Sequence, residues 1–215
     1  MHIVIFAGGK LRPGPKVQAV LQTADLIIAA DSGAATALDY GHIPAVILGD
    51  FDSLPEHLIE ELQQQGSQLI RASVHKDETD TELALIEARQ RGASTITILG
   101  AFGGSRIEHS LANVFLLTGF HDIPVQIIDG PSTCWLLSGP ASSSISGQSG
   151  DFVSLFPMTM EVTAITTANL AYALKGENLR FGTPRGISNE LLESQATVTI
   201  DQGQLLIIHT SREQE

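Results

Sequence analysis

The stretch Val46-Ile47-Leu48-Gly49-Asp50-Phe51-Asp52-Ser53-Leu54-Pro55-Glu56 reads as a strand that ends in two carboxylates and turns at once into a helix. Val46-Ile47-Leu48 follows Pro44 as a short apolar run. Ser53 and Glu56 have the S-x-x-E spacing of a capping box, with Pro55 in the first turn, where its missing N–H costs nothing. Side chains alternate along extended backbone, so Asp50 and Asp52 are expected on one side, with Phe51 packed on the other. Two carboxylates so placed repel unless a cation lies between them. Taken alone, the pair is better explained as an acidic surface turn; the neighbouring acids shift that balance.

The same strand-to-helix step recurs on either side. His2 to Phe6, Asp25 to Ala30, Ala45 to Leu48, Gln68 to Arg71, Thr95 to Leu99 and Val125 to Ile128 read as strands. Between most of them apolar residues fall at helical spacing, and Gly41, Gly66 and Gly92 each stand where a helix C′ glycine is expected. Residues 1–129 therefore read as an α/β domain with a doubly wound, mostly parallel, Rossmann-like sheet. From residue 130 the rhythm changes. Phe152 to Phe156, Glu161 to Thr167, Leu170 to Ala173, Ala196 to Ile200 and Leu205 to His209 read as strands, Ser142-Ser143-Ser144 as a loop, and no long helix is expected. Residues 130–215 read as an all-β sandwich domain.

With 215 residues and 43% hydrophobic content, the chain can bury a substantial core. Its apolar runs fall well short of the roughly 20 residues that span a membrane, and no secretory signal is legible at the N-terminus, so a cytoplasmic location is expected. The single cysteine, Cys134, fits a reducing compartment. A net charge of −12 argues against nucleic acid as partner, because that binding rests on basic residues neutralising phosphates. It leaves open a nucleotide held through metal ions.

In a doubly wound sheet ligands collect beyond the carboxyl ends of the strands. Those ends carry Gly8-Gly9, Asp31-Ser32, Asp50-Phe51-Asp52, Lys76-Asp77-Glu78-Thr79-Asp80 and Gly103-Gly104-Ser105-Arg106. Asp31, Asp50, Asp52 and Asp80 could hold Mg²⁺, a hard ion that takes carboxylate oxygens and shares them with substrate phosphates. Gly8, Gly9, Gly103 and Gly104 offer backbone N–H groups to phosphate, and Lys76 and Arg106 can meet phosphate charge. The combination suggests magnesium-dependent chemistry on a nucleoside triphosphate, without a P-loop. Each part also has a plainer reading. Thr79 with Glu82, and Ser105 with Glu108, have capping-box spacing; Asp31 could cap the helix that follows it; glycines after strands are usually turns. The histidines show no zinc-site spacing.

Asp31-Ser32-Gly33-Ala34, Gly49 to Leu54, Lys76 to Leu85, Gly103 to Asn113 and Gly186-Ile187-Ser188-Asn189-Glu190 together resemble the ordered motifs of thiamine pyrophosphokinases. The resemblance implies transfer of pyrophosphate from ATP to the hydroxyl of thiamine, giving thiamine diphosphate and AMP with Mg²⁺, by a homodimer with an N-terminal nucleotide- and metal-binding domain and a C-terminal thiamine-binding, dimerising one. Carried over by position, Asp50 and Asp52 become metal ligands, with Asp80 joining them or orienting the substrate hydroxyl, Arg106 stabilises phosphate charge, and Ser188 and Asn189 lie near thiamine. Asp80 or Glu108 would take the hydroxyl proton. The family usually has Asp at position 108, Gly at 32 and often an acid at 75, where this chain has Glu108, Ser32 and His75. Ile187, Leu191 and Leu192 would suit a dimer interface. A pyrophosphokinase acting on another hydroxymethyl heterocycle, such as a pterin, and a non-catalytic nucleotide sensor are the alternatives; the intact set Asp50, Asp52, Asp80 and Arg106 speaks against the sensor.

Overall fold

In the computed structural model, which describes residues 1–73 and 76–212, the aliphatic runs of the first half form a parallel sheet with helices between its strands. The elements are β1 (His2–Phe6), α1 (Pro15–Gln22), β2 (Leu26–Ala30), α2 (Gly33–Asp39), β3 (Val46–Gly49), α3 (Glu56–Gln64), β4 (Gln68–Arg71), α4 (Asp80–Gln90), β5 (Thr95–Leu99), α5 (Ile107–Gly119) and β6 (Val125–Asp129). The strand order is β6-β5-β1-β2-β3-β4, and each of these pairings is parallel. The chain steps outward from β1 to β4 and then returns to the other side of β1 for β5 and β6. Val4, Phe6, Ala29 and Ile47 pack in one cluster with Val17 and Leu21 of α1, Ala34 and Ala37 of α2 and Leu62 of α3. Each of the Val, Leu, Ile and Phe side chains withdrawn from water contributes about 1.5–3 kcal/mol, and each alanine methyl about 0.8 kcal/mol. Helix α4 packs against β1, β2 and β3 through buried Ala84, Leu85 and Ala88. Gly41, Gly66 and Gly92 end helices with φ of 78°, 98° and 78°, the left-handed backbone that their C′ positions demand.

The helix starts only partly follow the spacing of the sequence. Thr79 caps α4 as expected, its Oγ1 accepting the Glu82 N–H at 3.1 Å, an interaction worth about 1 kcal/mol. The other two boxes do not form. Helix α3 begins after Pro55 and α5 after Arg106, neither with a side-chain cap. Ser53 lies too far ahead of α3 to reach its first turn, and Ser105 lies one residue ahead of the α5 cap position.

The chain divides after Gly130 into a second compact unit. Its strands are β7 (Ser132–Ser138), β8 (Ala141–Ser146), β9 (Phe152–Pro157), β10 (Glu161–Ala168), β11 (Lys175–Arg180), β12 (Asn189–Glu190), β13 (Gln195–Ile200) and β14 (Gln204–Thr210). They pair antiparallel in the orders β12-β9-β14-β7 and β11-β10-β13-β8. Residues of both sets, among them Leu137, Val153, Leu155 and Ile207 on one and Ile145, Ile165, Leu179 and Val198 on the other, share one core. Among the described residues, no helix is long and apolar enough to cross a membrane.

Three readings of this half are corrected. Ser142-Ser143-Ser144 is strand, not loop: β8 pairs along its length with β13, the Ser142 and Thr199 hydroxyls lie 2.9 Å apart across the ladder, and Ser143 Oγ accepts the Trp135 indole N–H at 3.1 Å. Cross-strand partners here outweigh the weak strand preference of serine. Leu170 to Ala173 is a loop in which Leu170 makes a single bridge to Leu191, and the strand lies further on, at Lys175–Arg180. That strand is at the edge of its sheet and buries only Leu179, so it shows no apolar alternation. Leu191 is 1% exposed and belongs to the core, whereas Ile187 and Leu192 are exposed.

A buried polar network ties the second unit together. Asp151, 3% exposed, accepts the N–H groups of Gln148 at 3.0 Å and Arg212 at 2.9 Å, and lies 2.9 Å from His209 Nε2. Burial pushes the Asp151 carboxyl up, but the hydrogen bonds from Gln148, Arg212 and His209 outweigh it and hold the group below its ordinary value. Its stabilising contribution is therefore complete above about pH 4, the unfolded value, and is lost as pH falls through the lower folded value. Asp151→Ala is expected to cost about 3–5 kcal/mol at neutral pH and to flatten the acid side of the stability profile, read by urea unfolding between pH 3 and pH 7.

Candidate active site

The strand ends of the first unit bring acids together through unusual backbone rather than through strand alternation. Asp31, just past β2, adopts φ 46°, and its N–H donates to Leu48 O at 2.7 Å. Beyond β3 the chain leaves the extended form. Phe51 has φ 63°, is 5% exposed, and carries the Arg71 guanidinium 5.1 Å from its ring centroid. A left-handed phenylalanine costs on the order of 1–3 kcal/mol, which its burial must offset. The Asp52 N–H donates to Asp50 Oδ1 at 3.2 Å and closes a turn. Phe51 points into the core as expected, but Asp50 and Asp52 converge because the backbone turns. Asp31, Asp50 and Asp52 each offer an oxygen within 4.8 Å of the others.

Electrostatics make this group receptive to positive charge. Burial raises the Asp31 carboxyl, the Ser53 hydrogen bond and the neighbouring Ser32 N–H dipole oppose that, and the charges of Asp80 and Asp52 raise it further. Asp31 Oδ1 is shielded from solvent and has no hydrogen-bond partner among the described residues. A cation answers both the repulsion and the unpaired oxygen, so the residues present fit Mg²⁺.

The group borders a cavity of about 630 Å³. Its lining draws Gly8 and Gly9 from the turn after β1, Asp31 and Ser32 from that after β2, Asp50 from that after β3, Lys76, Thr79 and Asp80 from the approach to α4, and Gly104 and Arg106 from the approach to α5. Asp80 stands outside the close group of three acids and pairs with the Lys76 ammonium. Position 75 lies outside the described residues. Gly9 serves by close approach: its N–H is taken by Gly100 O at 2.8 Å, and a Cβ there would fall 2.2 Å from Phe102 O. Gly103 packs against Lys10 and does not line the cavity. Arg106 projects its guanidinium, 67% exposed, with Glu108 Oε1 4.0 Å away. Glu108 lies in the first turn of α5, outside the cavity lining.

In the second unit Ser188 is exposed with φ 57°. Asn189 is 6% exposed, and its amide is engaged with the main chain: Oδ1 accepts the Tyr172 and Glu190 N–H groups at 2.9 Å, and Nδ2 donates to Tyr172 O at 2.8 Å. Asn189 thereby fixes the loop that presents Tyr172, 73% exposed.

Sequence reasoning passed over Ser53, His109, Ser110 and Asn113, all of which line the cavity. Asn113, 6% exposed, donates to Ala101 O at 2.8 Å and ties α5 to the turn after β5. The signal for the last three was their spacing: positions 106, 109, 110 and 113 share one helical face with Arg106.

Comparison with known proteins identifies the family. Residues 17–128 match the family described as thiamin pyrophosphokinase, catalytic domain, and residues 143–205 match the thiamin pyrophosphokinase vitamin B1 binding domain. The thiamine pyrophosphokinase of Bacillus subtilis is 29% identical over 211 residues, covering 97% of this chain and 98% of that protein. A crystal structure of the thiamine pyrophosphokinase of Bacillus subtilis superposes with a TM-score of 0.87 at 29% identity, covering 99% of this chain and 100% of the other. The thiamin pyrophosphokinase of Geobacillus thermodenitrificans gives 0.84 at 30% identity over 99% of both chains. With both halves matched in order and the fold shared along almost its whole length, the chain belongs to the thiamin pyrophosphokinase family, a family of transferases.

Proposed function

We propose that the protein transfers the terminal pyrophosphate of ATP to the hydroxyl of thiamine, giving thiamine diphosphate and AMP, with Mg²⁺ bound by Asp31, Asp50 and Asp52 and with Asp80 completing the site. The observation that carries this reading is the trio of converging acids, one with an unpaired buried oxygen, at the edge of a cavity bounded by glycine turns and Arg106. The strand order, reversing at β1, supports a doubly wound, Rossmann-like reading in which ligands lie beyond the strand ends. Residues 1–129 then serve nucleotide and metal, and residues 130–215 serve thiamine near Ser188 and Asn189, as the vitamin B1 binding match favours. A homodimer is part of the proposal, for which exposed Ile187 and Leu192 offer apolar surface, as is a cytoplasmic location.

In the reaction the thiamine oxygen forms a bond to the β-phosphorus, the bond from that phosphorus to the α-phosphate oxygen breaks, and AMP departs. Bound Mg²⁺ would supply charge neutralisation on the phosphate oxygens. Lys76, Arg106 and the turns at Gly8 and Gly104 orient the polyphosphate, and Arg106 meets the charge that builds on the leaving oxygen. Asp80 stands ready to accept the hydroxyl proton once phosphate draws Lys76 away from it. Glu108, outside the cavity beside Arg106, can receive it only if its side chain swings inward.

Incubation with ATP, Mg²⁺ and thiamine should give AMP and thiamine diphosphate in equal amounts by chromatography; ADP as co-product would refute the reading, and a pterin alcohol preferred over thiamine would favour the alternative pyrophosphokinase. Asp50→Asn should lower turnover on the order of 100-fold or more, with the metal-free melting temperature unchanged or higher, because a repelling charge is removed. Glu108→Asp should keep or raise kcat if this position handles the proton, whereas equal rates for Glu108→Gln and wild type would leave it a helix N-terminal charge only.

A further inference from the structure

Ser53 offers the spacing of a helix cap but makes no cap. Its hydroxyl donates to Asp31 Oδ2 and lies 3.2 Å from Asp52 Oδ1, so it sits between two of the three clustered acids. A hydroxyl has one proton, and the half-buried Asp31 carboxylate, less served by water than exposed Asp52, is the stronger claimant to it. The two oxygens of Asp31 are thereby made unequal: Oδ2 is tethered, while Oδ1 is shielded from solvent and unpaired. A carboxylate oxygen left in that state is costly until something positive meets it. Without the tether, repulsion from Asp50 and Asp52 would favour another staggered χ1 rotamer that turns the Asp31 carboxylate away from its neighbours.

We infer that Ser53 is a positioning residue for the cation site, holding Asp31 Oδ2 so that Oδ1 remains directed to the ion shared with Asp50 and Asp52. The inference rests on reading those acids as the Mg²⁺ site. Hydrogen bonds to the far side of a ligating carboxylate set its orientation, and their loss typically weakens metal affinity about 10- to 100-fold. Ser53 is itself exposed, so its removal need not disturb the fold. The hydroxyl, not the bulk of the side chain, carries the effect, and threonine should substitute for it.

The test is Mn²⁺ titration of the purified protein, followed by the electron paramagnetic resonance signal of the free ion, with and without α,β-methylene-ATP. Wild type and Ser53→Thr should bind alike, Ser53→Ala about 10- to 100-fold more weakly, and all three should share one metal-free melting temperature. Equal affinity for Ser53→Ala and wild type would overturn the inference, as would a threonine variant as weak as the alanine one. A lower melting temperature with unchanged Mn²⁺ affinity would assign Ser53 a structural role instead. If wild type binds no Mn²⁺ under either condition, or if Asp50→Asn binds as wild type does, the metal reading itself falls, an outcome separate from failure of Ser53 alone.

Discussion

The first unit turns on a repulsion that its backbone enforces. Three carboxylates, from Asp31, Asp50 and Asp52, are brought within 4.8 Å of one another, although in isolation each would move away. What brings them together is the main chain, with the Ser53 hydroxyl tethering Asp31: the Asp31 N–H donates to Leu48, Phe51 is fixed by its buried ring, and both keep left-handed φ at some energetic cost. Strain of this kind persists where surrounding structure over-determines it. Here the parallel register of β2 and β3 fixes both turns at one height. A protein of net charge −12 gains nothing in stability from crowding like charges, and the arrangement is understandable as a site prepared for a cation.

The cavity beside the acids follows from the same architecture. Returning from β4 to the far side of β1 leaves β1 and β5 adjacent, and the turns after them meet through glycines because no side chain fits between Gly9 and the carbonyls of Gly100 and Phe102. Arg106 and the cavity face of α5 follow directly from that turn, with Asn113 anchoring the helix to Ala101. The clustered acids and Arg106 thus come from opposite sides of β1, set by the strand order.

Much of this was legible in the sequence. Strand ends were visible because aliphatic runs stop at Gly or Asp, and helix ends because Gly41, Gly66 and Gly92 mark them. The identity of the acidic residues was legible for the same reason, but the way they converge was not: alternation predicted a straight strand through Asp50 and Asp52, and no local pattern announces a phenylalanine in left-handed backbone. Ser53 was misread because cap spacing is identical whether a serine faces its own helix or a carboxylate from another strand. In the second half, the serines of β8 became strand through partners on β7 and β13, and β11 escaped notice because an edge strand with one buried residue has no periodicity to read. Asn189, placed by resemblance near substrate, uses its amide on the Tyr172 loop, a contact 17 residues distant in sequence.

The central claim is that the acids at the ends of β2 and β3 hold the ion that acts on the nucleotide. The most direct measurement is anomalous scattering from crystals grown with Mn²⁺, thiamine and α,β-methylene-ATP, which blocks the bond that must break. The account predicts an Mn²⁺ peak in direct contact with carboxylate oxygens of Asp31, Asp50 and Asp52 and with phosphate oxygens of the analogue. A nucleotide bound with no Mn²⁺ at these acids, or with the ion held by other residues, would contradict it.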